Sequence, residues 1–77
     1  MHKKEQLEIF DSWIRQHKPL LFKVVRAYAF DPENQNDLFQ EVSIQIWLSI
    51  PNFRKESKVS TWLYRIALNV ALNWTRK

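Results

Sequence analysis

Along residues 5–30 apolar side chains recur at intervals of three and four: Leu7, Phe10, Ile14, Leu21, Val25 and Tyr28. This is the period of an amphipathic helix, or of two in succession. Pro19 predicts a division, because a proline inside a helix removes a backbone hydrogen bond and disfavours helix just before it. His17 lies on the same stripe; a histidine at a helix break is ordinarily satisfied by water or backbone. The segment FDPENQND, residues 30–37, predicts a turn and a new helix start. Pro32 and the amides interrupt the period there. Asn34 is the expected N-cap, with Asp37 in the first turn, where a negative charge suits the helix dipole.

The next helix is expected from about residue 35 to 49, and its wheel has two apolar sides. Leu38, Phe39, Val42, Ile46 and Ile50 form one, the expected core. Ile44, Trp47 and Leu48 form the other, beside Asp37, Gln40 and Glu41. A small bundle buries one broad side of such a helix, so the second predicts an apolar patch with an acidic edge, as at protein interfaces. The alternative is that Trp47 folds over the chain's own first helix. Pro51 ends this helix. PNFRKES, residues 51–57, is the last connection, with Phe53 packed under it, Arg54 and Lys55 adding basic surface, and Ser57 as the expected N-cap of the final helix.

That helix, KVSTWLYRIALNVALNWTRK over residues 58–77, contains no Gly or Pro and is long enough for five turns. Leu63, Ala67, Val70, Ala71 and Trp74 fall on one side, a core stripe whose alanines admit a close neighbour. Lys58, Trp62, Arg65, Asn69, Asn73 and Arg76 fall on the other. A merely solvated face interleaves Glu or Asp with its cations, since opposite charges three or four apart support a helix. This face has no carboxylate. Its residue types suit a nucleic acid: Lys and Arg neutralise phosphates, Asn pairs with base edges, and Trp stacks on an unpaired base.

Composition narrows the class. The chain has 77 residues, 45% hydrophobic, with no glycine and no cysteine. One small domain follows. Sheets and hairpins draw on glycine for their turns, so the expected fold is all-α: a compact three- to four-helix bundle with a long C-terminal recognition helix. There is no disulfide or thiolate chemistry. No apolar run reaches the roughly 20 residues that cross a bilayer, and the N-terminus lacks an apolar signal region, so no membrane insertion and a cytoplasmic location are expected. His2 and His17 have no partners at metal-ligand spacing, and Ser and Thr have no nearby base. No catalytic residue, metal or cofactor is expected, and an enzyme is disfavoured.

Charge is divided along the chain. Residues 1–53 carry six Lys or Arg against seven Asp or Glu, net −1, whereas residues 54–77 carry six against one, net +5. An acidic middle and a basic end point to two different partners.

The run DLFQEVSIQIW, opening at residue 37, and STWLYRIALNVALNW, opening at residue 60, resemble region 2 of bacterial sigma factors. The extracytoplasmic-function (ECF) group is the nearest in pattern, DLxQExFLxxWxxxxxFRGxSxFxTWLYRIAxNxAxDxxR. The resemblance covers residues 37–77 strongly; residues 5–30 share only apolar spacing. It implies a transcription initiation domain that binds the clamp helices of core RNA polymerase and captures the single-stranded non-template strand of the promoter −10 element as it melts. By position, Asp37, Gln40, Glu41, Ile44, Trp47 and Leu48 would face the clamp. Phe53, Arg54, Lys55, Glu56 and Ser57 would form the loop that helps hold a flipped-out base. Lys58, Trp62, Arg65 and Asn69 would meet the strand, with Asn73 and Arg76 farther along.

Three positions depart from the pattern: Lys55 stands where Gly is usual, Leu68 where Arg is common, and Asn73 where an acid is common. These bear on loop flexibility, on one phosphate contact and on which bases are read. Region 4, the second domain of an ECF factor, does not follow Lys77, so the chain is expected to be an isolated region 2 or a fragment. Two other readings stand beside this one. The basic helix can serve as a docking face for an acidic partner, of which an anti-sigma factor is the family's own example. A duplex-reading helix-turn-helix protein is disfavoured by the missing glycine turn and the length of the last helix.

Overall fold

The computed structural model describes residues 1–76, which form three α-helices and one short 3-10 turn and contain no strand. Helix α1 spans Lys3–Tyr28, α2 Pro32–Ser49 and α3 Val59–Thr75, with the 3-10 turn at Ile50–Asn52 between α2 and α3. The three helices pack mutually around one core. The all-α bundle expected from the pattern is therefore the fold. Its last helix is not the long one: α3 has 17 residues against 26 in α1. Lys58 is extended and only caps α3, and Arg76 closes its other end with its N–H bonded to the Asn73 and Trp74 carbonyls. Lys77, the last residue of the expected helix, lies outside the described residues.

Pro19 divides α1 into two helical stretches that meet at a kink, as its place in the pattern predicts. His17 leaves helical geometry (φ −114°, ψ 16°), and helix resumes beyond. A proline ring crowds the carbonyl four residues back, and the strain is taken up in the turn before it. The bend separates two burial regimes. After it, Leu21, Val24, Val25 and Ala29 are buried; before it, Phe10, Trp13 and Ile14 are half-buried and Leu7 is 56% exposed. The expected stripe thus holds at Leu21 and Val25 but misplaces Leu7 and omits Val24.

Helix α2 begins earlier than expected, at Pro32, and leaves only a short connection after α1. Asp31, not Asn34, is the N-cap: its carboxylate accepts from the Asn34 backbone N–H (2.9 Å) and from the Asn34 side-chain amide (2.8 Å). Pro32 opens the helix instead of interrupting it, because the first helical N–H has no intrahelical partner and proline's fixed φ already suits the position. Leu38, Val42 and Ile46 are then buried along one face of α2, and Ile50 in the turn that follows, as expected, with Phe39 stacked on Phe22 at 4.5 Å. Lys18 and Arg26 lie over the Phe22 ring and cover this seam with cations. From α3, Leu63, Ala67 and Ala71 complete the core, and the two alanines let the helix backbone approach its neighbours. Among the described residues, no helix is long and apolar enough to cross a membrane.

Candidate nucleic-acid interface

The first turn of α3 follows from the residues before it. Ser57 does not cap the helix; Lys58 takes the N-cap position, and no side chain accepts from the first-turn N–H groups. An uncapped start leaves the first-turn N–H groups, the positive end of the helix dipole, without a side-chain acceptor, and the residues leading into it include Arg54, Lys55 and Lys58. All three of these side chains are exposed. Farther along, Arg65, Asn69, Asn73 and Arg76 are exposed in a row, so the hydrophilic side read from the sequence faces solvent. Among the described residues none of the five cations Arg54, Lys55, Lys58, Arg65 and Arg76 is held in an ion pair. Their charge is directed outward, as a phosphate-binding surface requires.

Trp62 differs from its neighbours on that side. It is half-buried, with its ring 5.5 Å from Trp13 and 5.0 Å from Phe53 in edge-on contacts. Trp13 and Phe53 themselves meet at 5.2 Å, which closes a three-ring cluster. Phe53 is half-buried in it, and its N–H donates to the Ile50 carbonyl at 3.1 Å. Two residues on, Lys55 has φ 60°, in the left-handed region that favours glycine. Glu56 is exposed and Ser57 half-buried. The sequence pattern missed Trp13. The available signal was its offset of three from Phe10 and four from Ile9, which continues an apolar side of α1 next to the stripe that was read.

The second surface lies on α2. Asp37 and Gln40 are exposed, Ile44 and Leu48 are 56% and 58% exposed, and Glu41 is half-buried. Trp47 is shared: its ring meets Phe10 edge-on at 5.5 Å, and its carbonyl accepts from the Gln6 side chain at 2.7 Å. The indole is half-buried. It therefore leans on the first helix while part of it stays open beside Ile44 and Leu48. A groove of about 540 Å³ separates this surface from the α3 ridge, with Ile44 and Gln45 on one wall and Asn69 and Asn73 on the other. Among the described residues no cluster of His, Cys, Asp or Glu could hold a metal ion.

Residues 13–77 match the family model described as Sigma-70 region 2. The chain is 33% identical over 64 residues to the RNA polymerase sigma-H factor of Pseudomonas aeruginosa, covering 83% of this chain and 33% of that protein. It is 35% identical over 69 residues to the ECF RNA polymerase sigma factor SigX of Bacillus subtilis, covering 90% and 34%. Over 38 residues it is 53% identical to the ECF RNA polymerase sigma-E factor of Haemophilus influenzae, covering 49% and 20%. The chain spans about a third of the length of the first two of these relatives. No solved structure is a significant match. With a family match over most of its length, the chain belongs to the Sigma-70 region 2 family, as a region 2 domain of the ECF group.

Proposed function

We propose that this domain serves in transcription initiation by binding core RNA polymerase through α2 and holding the non-template strand of the promoter −10 element along α3 and the loop before it. The observation that carries the reading is the exposed, carboxylate-free row Arg65, Asn69, Asn73 and Arg76, continued at the helix start by Lys58, Lys55 and Arg54. The cations neutralise backbone phosphates, and the two amides reach base edges. Trp62, packed against Phe53 and Trp13, acts as a firm wall for the strand. Asp37, Gln40, Glu41, Ile44, Leu48 and the open part of Trp47 form the polymerase-facing side, an apolar patch with acidic edges suited to a basic, amphipathic partner surface.

No bond is made or broken in this mechanism. Unpairing and flipping a base costs a few kcal/mol, while phosphate contacts and base stacking of about 1–3 kcal/mol per base return comparable amounts. The domain traps DNA that has opened transiently. The test is binding of a labelled single strand, selected from a random pool, and of the same sequence as a duplex, from low to moderate salt. Preference for the single strand, weakening steeply with salt, is expected. Equal binding to both forms, or to neither at low salt, overturns the reading. Tight binding to an acidic protein with no DNA affinity points instead to a protein-docking module.

A further inference from the structure

We propose that Trp13 of α1 is a positioning residue for the strand-binding loop, residues 53–58; the inference rests on the function proposed above. Arg54, Lys55, Glu56 and Ser57 take part in no hydrogen bond among the described residues. No hydrogen bond holds the loop between its ends, and ring contacts flank it on both sides. At one end stands Phe53, and at the other Trp62, in the first turn of α3. Both rings meet Trp13, at 5.2 Å and 5.5 Å, and each other at 5.0 Å. One indole from a different helix thus joins the entry and the exit of the loop. Lys55 lies between them at φ 60°, a conformation that a lysine keeps only when the surrounding structure imposes it. A loop held in its bound shape gives up less conformational freedom when a strand arrives, and binds more tightly for that reason.

The experiment compares the wild-type chain with Trp13→Ala and Trp13→Phe in three measurements. The first is the {1H}–15N nuclear Overhauser effect of the Lys55 and Glu56 amides. The second is affinity for a fluorescein-labelled single-stranded oligonucleotide selected from a random pool on the wild-type chain. The third is affinity for bacterial core RNA polymerase. In Trp13→Ala the loop amides lose order and strand affinity falls about tenfold, the cost of ordering a few loop side chains on binding. Polymerase affinity stays within about twofold, and Trp13→Phe restores most of the strand binding. Unchanged loop amides, or strand and polymerase affinities that fall together in step with the unfolded fraction, overturn the proposal. If Trp13→Ala does not fold, Phe53→Leu, which keeps apolar bulk but removes the ring, must reproduce the loop and strand effects. A wild-type chain that selects no single strand defeats the functional reading, and the amide measurement then still decides whether Trp13 orders the loop.

Discussion

The Gln6 side-chain amide donates a 2.7 Å hydrogen bond to the backbone carbonyl of Trp47. In an uninterrupted helix that carbonyl would accept from the N–H of residue 51, but residue 51 is proline and has none. Gln6 therefore supplies from α1 the donor that Pro51 removes from α2, at a part-buried position. Phe10, one turn on, packs edge-on against the Trp47 ring. The end of α2 and the start of α1 are thus joined by a polar and an apolar contact at one residue.

Gln6→Ala leaves that carbonyl without a protein donor, and a stability loss of about 1 kcal/mol is expected. The check is the urea midpoint. A midpoint equal to wild type would mean that water satisfies the carbonyl as well as Gln6 does.

Lys55→Gly removes the left-handed penalty of about 1–2 kcal/mol for a residue with a Cβ, and adds back part of it as greater freedom of the unfolded chain. A net gain of up to about 1 kcal/mol is expected. Lys55→Val, branched at Cβ, should lose more than about 1 kcal/mol. Equal midpoints for the Gly and Val variants would show that the loop does not impose this backbone conformation in solution.

Arg65→Ala and Asn69→Ala lie on the exposed row and should move stability by less than about 0.5 kcal/mol. Single-strand affinity should fall in both. Only Arg65→Ala should also flatten the salt dependence, by about 0.7 in the slope of log affinity against log salt, as expected for one phosphate contact on a single strand. An unaltered slope would remove Arg65 from the phosphate contacts.

Trp62→Ala should behave differently from those two, because it opens the three-ring cluster. A loss of about 2–4 kcal/mol is expected, less than or comparable with a fully buried aromatic. Its DNA binding is therefore to be read only with the folded fraction measured alongside, by near-ultraviolet circular dichroism.

Leu48→Ser and Asp37→Ala, on the α2 surface, should leave both stability and single-strand affinity near wild type while weakening the complex with core RNA polymerase. A pull-down titration measures this. Retention of full polymerase affinity in the double variant would place the polymerase contact elsewhere on the domain.

Much of the fold was legible in the residues, and the exceptions have physical causes. The core faces of α2 and α3 followed directly from helical spacing, because a helix buries whatever its period aligns. The residues alone do not point to Asp31 as the cap, because Pro32 reads as a breaker until its place at the first helical position is known. Ser57 lost the N-cap to Lys58 by one residue, a difference set by the backbone path of the loop and not by capping chemistry. The candidate site divides similarly. Arg65, Asn69, Asn73 and Arg76 are exposed as the wheel implied, but Trp62 and Trp47 each lean on an aromatic of α1, and a wheel drawn for one helix contains no information about its neighbour.

The sequence by itself determined an all-helical chain without glycine turns, the composition of each helix face, the separation of acidic from basic charge, and the family motif. Those are properties of spacing and residue type, which act within one or two helical turns. Only the tertiary structure decided which aromatics stay open and which join Trp13, that Gln6 completes the end of α2, and that Lys55 carries the left-handed turn. These depend on contacts between residues up to some 50 positions apart, chosen by how three helices share one small core.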